Sequence, residues 1–362
     1  MFAKKEINTG RQIEFDYLKG LFIPMILLIH SFQIMGGTLV PAYKTTYILA
    51  TMTGSTIFLF VLGLGSTYSR RTNSQLVWDG LKLLLYQLLC NVLAFVFPMV
   101  IGQGVRGLFG LETVWAVVWQ RMPMMIEYIN IFFIAGISYL LLALLRQLKT
   151  PTWMYFALAL LFMVINPYLY MNGKTTGNAV TDYVLTMFAG GRPAVSLCFL
   201  AHIPYALFGV GFGKVLRRTK NKTRLYGIIT LPAVIVVAAY AWYAFSLNDD
   251  LDSLYAYSSK GYIYPSALRA LANCSCVLLM SGLFYALRNQ ITAIKPFHAA
   301  LVHLSRKTTP YYAVHPFWYV LIASIMCFAP CSAAFCLLMT PVVWTLCYIT
   351  IRFWERFRVC KR

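Results

Sequence analysis

Ten mainly apolar runs recur along the chain, at 17–36, 47–68, 80–101, 127–145, 153–170, 194–215, 225–245, 265–287, 310–329 and 333–354. A helix needs about 20 such residues to cross a bilayer. The pattern therefore predicts an all-α, polytopic membrane protein of about ten transmembrane helices. The connections between runs are too short for a soluble domain, so 1–362 is expected to form a single transmembrane domain. One stretch fits the pattern poorly. "GQGVRGLFGLETVWAVVWQRMPMMI" (102–126) is Trp-rich and broken by charges, and is expected to lie along the outer interface.

Composition agrees. Charged residues make up 12% of the chain, about half the usual share in soluble domains, and mean hydropathy is +0.67. A net charge of +20 would point to nucleic acid in a soluble protein. Here its distribution gives another reason. Of the 31 Lys and Arg residues, only Lys44, Arg106, Arg121, Lys174, Arg192, Lys260 and Arg269 fall on one side of the predicted spans. Basic loops stay in the cytoplasm, so both termini are expected inside, and the partner expected is membrane lipid, not nucleic acid. The N-terminal "MFAKKEINTGRQIEFDY" lacks a short apolar stretch with a small-residue cleavage site, so the first span is expected to remain in place. The expected location is the cell membrane. Most cysteines lie inside apolar runs, without CxxC or Cys/His spacing; they read as packing residues, and no metal is expected. Whether the chain forms a homodimer is left open.

The first span changes the picture. "DYLKGLFIPMILLIH" (16–30) keeps Asp16, Lys19 and His30 in an apolar run, with ten residues between the lysine and the histidine. Eleven helical steps turn about 1100°, three turns plus roughly 20°, so Lys19 and His30 share a stripe about 16 Å long. Asp16 joins it at one end and Gln33 at the other. Pro24 lies between them and is a candidate bend. An ionisable group in a span is costly unless it faces protein or a water-filled path. Three on one stripe describe such a path. The blander reading makes Asp16 and Lys19 interfacial anchors and His30 a satisfied core histidine.

Those residues carry a resemblance. "FDYLKGLFIPMILLIH" resembles the first span of the acyltransferase 3 family, which reads as an acid, a basic residue, ten residues and then His. The basic position is Lys19 here, where the family usually has Arg. "GSTIFLFVLGLGSTYSRR" (54–71) resembles the family's second span, with Gly63 and Gly65 in place of a Ser-Gly pair. "LSRKTTPYYAVHPFW" (304–318) resembles a late family segment in which a Tyr precedes a His by three residues, here Tyr312 and His315. "IEYINIFFIAGISYLLLALL" (126–145) and "AHIPYALFGVGFGKVL" (201–216) resemble the related heparan-α-glucosaminide N-acetyltransferase group. The resemblance implies acyl transfer from a cytosolic acyl-CoA, most simply acetyl-CoA, to a hydroxyl or amine of a carbohydrate, often a cell-surface glycan.

Further candidates follow from chemistry and depth. A hydroxyl is a poor nucleophile until a base takes its proton, and neutral imidazole suits that task. His30 is therefore the candidate base, with Asp16 orienting or pairing with Lys19. Lys19, Arg306 and Lys307 are candidates for donor phosphates at the inner mouth; Tyr312 and His315 are candidates for the donor, with His315 expected in the inner half near Lys19. His202 and Tyr205, together with Glu127, Asn130, Arg192 and Arg269, converge on the outer side and are candidates for a polyhydroxy acceptor. Each of the latter four, taken alone, reads more readily as a helix cap or interface anchor. O-acylation is favoured over N-acylation, and a covalent intermediate on Ser55, Thr56 or Cys198 is left open. The alternative function is a transporter or flippase with an intramembrane His/Lys path.

Overall fold

The structure, a computed structural model, describes residues 2–36, 41–169, 176–191 and 197–359. Helix α1 (Ile13–Ser31) ends in a π-helical turn (Phe32–Gly36), followed by α2 (Pro41–Thr51), α3 (Gly54–Tyr68) and α4 (Asn73–Asn91). A second π-helical turn (Val92–Val96) carries α4 into α5 (Phe97–Leu108), and α6 (Trp115–Glu127), α7 (Ile131–Gln147), α8 (Thr152–Leu169) and α9 (Ala179–Ala189) follow. The remainder is α10 (Phe199–Arg218), α11 (Lys222–Ser246), α12 (Leu251–Ile263), α13 (Ala267–Ala286), α14 (Arg288–Ala293), α15 (Lys295–Arg306), α16 (Thr308–Ile325) and α17 (Ala333–Val359). Among the described residues there are no strands. Helix is what lipid demands, because every backbone polar group must find its partner within the segment. The starts are set locally: side chains of Asn130, Asn178, Asn221, Asp250 and Ser266 each accept a bond from a first-turn N–H.

Among the described residues, eight helical stretches are long and apolar enough to cross a membrane: Ile13–Gly36, Tyr43–Tyr68, Asn73–Leu108, Thr152–Leu169, Phe199–Arg218, Lys222–Ser246, Ala267–Ala286 and Ala333–Phe357. They match eight of the ten expected spans. The other two correspond to α7, a shorter apolar helix of 17 residues, and to α16, diluted by its Thr, Tyr and His residues. The poorly fitting stretch 102–126 divides. Its first residues prolong the 36-residue Asn73–Leu108 helix. Its remainder holds α6, whose 13 residues are too few to span. Helix α1 runs on through Pro24, and its irregularity comes later, at the π-helical turn.

Contacts divide the chain into two compact units. The first is Met1–Leu18, Thr51–Gln87 and Ile129–His298; the second is Lys19–Ala50, Leu88–Tyr128 and Ala299–Arg362. In the first unit α10 is the enclosed helix, packed on α3 and α8, while α11 packs on α13. Lipid tails are as apolar as leucine, so close backbone approach drives this packing. A Cβ at Gly63 would collide with the Ala206 carbonyl, and one at Gly209 with that of Phe60. Glu14, 1% exposed, accepts from Lys222 Nζ at 2.8 Å and from the Tyr226 hydroxyl at 3.1 Å, tying the start of α1 to α11. In the second unit α16 is the hub, packed on α5, α17 and both π-helical turns. Gln103 donates to the Ser324 carbonyl at 2.6 Å, and the Ser324 hydroxyl donates to the Met99 carbonyl at 2.8 Å.

Candidate functional site

In the second unit, α1 and α16 bring two histidines together. His315 Nε2 lies 3.1 Å from His30 Nδ1, with ring centroids 4.8 Å apart. His315 is fully buried and its Nδ1 lies 2.8 Å from the Tyr311 carbonyl, one turn back on α16. That carbonyl can only accept, so His315 Nδ1 carries the proton. In the neutral ring Nε2 is then the acceptor, and His30 Nδ1 must donate to it. The tautomer of each ring follows from this chain of bonds. What remains is the lone pair of His30 Nε2, which makes no hydrogen bond among the described residues. His30 itself is partly exposed. His30 thus presents a neutral imidazole whose Nδ1 is held by a second imidazole anchored to backbone.

The supports are local. The Tyr319 hydroxyl, one turn beyond His315, donates to the Leu27 carbonyl at 2.9 Å. The Ser31 hydroxyl donates to the Cys336 carbonyl at 2.7 Å. Together these hold the end of α1 against α16 and α17. The rings of Tyr312 and Tyr319 flank His315 at 5.6 and 6.3 Å.

The depth expected for His315 is corrected. It meets His30 and does not stand beside Lys19 in the inner half. The reason is α15. Gly20 has no side chain, and the backbone at Leu301 on α15 occupies the space a Cβ would need. That contact is ten residues short of His30 on α1, about 15 Å along its axis. Lys307 alone separates α15 from α16, and seven residues into α16 the chain reaches His315.

The other donor-side candidates lie on the same unit. Lys19 is half-buried and directly precedes Gly20. Lys307 forms an ion pair with Glu355 on α17, and Arg306, the last residue of α15, is exposed. Asp16 belongs to the first unit and bonds Arg11 at 2.5 Å. Its hydrogen bond raises the Arg11 guanidinium above its ordinary pKa.

In the first unit α10 and α13 assemble a second polar group. His202 Nδ1 donates to the Cys198 carbonyl at 2.9 Å, which again turns Nε2 into the acceptor. The Tyr205 hydroxyl lies 3.0 Å from the Asn273 amide. With the amide oxygen turned toward that hydroxyl, its nitrogen donates to the carbonyls of Met52 at 3.2 Å and Arg269 at 3.3 Å. Arg269 is 1% exposed, and none of its three guanidinium nitrogens has a hydrogen-bond partner among the described residues. Its head group lies 5.9 Å from the Tyr240 ring, and a side chain at Gly261 would displace it. His202, Tyr205 and Arg269 thus form one cluster, joined by Asn273.

Three acceptor candidates remain: Asn130, Glu127 and Arg192. Asn130 caps α7, its side chain accepting from Phe132 N at 2.9 Å. Glu127 is the exposed last residue of α6. Arg192 lies outside the described residues. The roles of Ser31 and of the Tyr311 carbonyl were not foreseen; both act through backbone bonds, for which composition and spacing give no signal.

The pair thus joins the first span to α16 in an all-helical chain, and comparison with known proteins adds the family. No curated protein and no solved structure matches the chain significantly. The family model described as an acyltransferase domain matches residues 12–353, nearly the whole chain, with both His30 and His315 inside it. The chain belongs to the acyltransferase 3 family and is a multi-pass membrane acyltransferase.

Proposed function

We propose that the chain moves an acyl group, acetyl in the simplest case, from cytosolic acyl-CoA to a hydroxyl of an extracytoplasmic acceptor such as a cell-surface glycan. The observation that carries this reading is the open lone pair of His30 Nε2, with Nδ1 committed to His315. A neutral amine is nucleophilic without help, whereas a hydroxyl needs a base in the transition state. An oriented imidazole therefore favours O-acylation.

The chemistry balances on one imidazole. As the acceptor oxygen attacks the thioester carbonyl carbon, His30 Nε2 takes the hydroxyl proton. The resulting imidazolium is stabilised by its bond from Nδ1–H to His315 Nε2. Collapse of the tetrahedral intermediate breaks the carbon–sulfur bond, and the leaving thiolate recovers the proton from Nε2. The products are the ester and the free thiol, with the base restored. Tyr312 lines the histidine pair, and Lys19, Arg306 and Lys307 supply positive charge on the donor side. His202, Tyr205 and Arg269 are assigned to the acceptor side; Arg269 offers five donors with no partner among the described residues.

The test is thioester turnover. Purified protein in lipid nanodiscs is given radiolabelled acetyl-CoA and a panel of hydroxyl-bearing glycans. Label is expected in an ester that mild base releases, and it is expected to disappear in folded His30→Ala. Label found only in amide products, or uptake of a solute without any CoA requirement, contradicts the reading.

A further inference from the structure

The first unit holds a cavity of ≈ 210 Å³ lined by Arg146, Lys149, Lys214 and Arg217, with Glu6 as its one carboxylate. The ends of three helices meet there: α3, α7 and α10. By the distribution of basic residues it opens on the cytoplasmic side.

Much of that charge has an ordinary use. Arg217 bonds Glu6 at 2.5 Å and also the Thr67 carbonyl. Lys214 donates to the Thr150 carbonyl at 3.0 Å, and Arg146 to the Arg71 carbonyl at 2.8 Å. Cations at helix C-termini complement the negative end of the dipole. Three helix ends contribute about half a negative charge each, roughly 2.5 with Glu6, against four positive charges. The cavity keeps an excess of positive charge. Arg146, Lys149 and Lys214 have no carboxylate partner among the described residues.

The second observation is Lys149. It follows the C-terminus of α7 with φ 51°, in the left-handed region. Lys149 N bonds Arg146 O, and Thr150 N bonds Leu145 O, both at 3.1 Å. This is the helix-ending motif in which the left-handed residue is usually glycine. A lysine there is unfavourable for the backbone. Strain at a residue lining a cavity is a reason to look for function, and here the unfavourable residue is one of the three cations without a carboxylate partner among the described residues.

We propose that this cavity binds a phosphate group on the cytoplasmic side, and that Lys149 is kept in a glycine position to contact it. The cavity, ≈ 210 Å³, has room for a phosphate or pyrophosphate. Two sources carry that chemistry: the phosphates of the acyl-CoA donor, which rests on the function proposed above, and the headgroup of an anionic lipid.

Lys149→Gly separates binding from folding, because glycine relieves the strain while removing the charge. Full-length protein is placed in neutral phosphatidylcholine nanodiscs and titrated with adenosine 3′,5′-bisphosphate by calorimetry. Lys149→Gly is expected to weaken binding about tenfold, with a melting temperature equal to or above wild type, and Lys149→Arg is expected to restore binding. In a second arm the nanodiscs contain phosphatidylglycerol. If the nucleotide is insensitive to Lys149 but lipid-dependent stabilisation is lost in Lys149→Gly, the phosphate site stands and its source is the membrane. If neither changes, the site is overturned while the acyltransferase reading survives. Phosphate binding that follows Lys149 in a protein that never consumes a thioester has the opposite meaning: the site stands and the donor assignment falls.

Discussion

His30 Nδ1 and His315 Nε2 face each other at 3.1 Å, and the Tyr311 carbonyl fixes which of them donates. The pair works as a base only while both rings are neutral. Taking up one proton fills the Nε2 lone pair or reverses the central bond. Turnover of a hydroxyl acceptor is therefore expected to fall as pH is lowered, while donor binding changes less. A pH series of kcat and of donor KM checks this.

His315 is a positioning residue, and its loss should act on orientation. His315→Ala is expected to lower kcat about 10²-fold, the scale of a misaligned reacting group, with donor KM little changed. His315→Gln retains an acceptor oxygen and is expected to recover part of the loss. A packing defect alone would not distinguish Ala from Gln in this order.

How much of this was legible in the sequence differs by level. The apolar runs and the basic loops gave the spans, because both follow from solvation. The stripe of α1 was readable from helical geometry alone. The contact to His315 was not, because it joins two helices 285 positions apart in the chain. Arg146 and Lys149 lie three apart across the end of α7, and Lys214 and Arg217 lie three apart on α10. As cytoplasmic charge they were unremarkable; only the fold brings both pairs to one cavity. Asn130, placed with the acceptor from sequence, caps a helix in the structure.

Backbone-to-backbone packing at α3 and α10 makes a specific demand. Gly209→Ala puts a Cβ into the Phe60 carbonyl, and Gly63→Ala into that of Ala206. Each is expected to destabilise by about 1–3 kcal/mol, the range of overpacked cores. Gly65, where a Cβ meets nothing within 4 Å, serves as the control. Thermal unfolding in detergent reads the difference.

Glu14 should be the costliest single charge to remove. Glu14→Ala leaves Lys222 without its carboxylate partner and Tyr226 without its acceptor. Breaking one side of such a buried pair costs about 3–5 kcal/mol. The double variant Glu14→Ala/Lys222→Ala is expected to lose less than the sum of the single losses, and a double-mutant cycle measures the difference.

The central claim is that His30 takes a proton from a hydroxyl. It is tested most directly by comparing two nucleophiles in one variant. Folded His30→Ala is assayed with acetyl-CoA and either the glycan hydroxyl acceptor or hydroxylamine, which attacks thioesters without a base. The expected result is a loss of about 10²–10⁴-fold for the hydroxyl and a much smaller loss for hydroxylamine. Equal loss for both nucleophiles would contradict the assignment of His30 as the base.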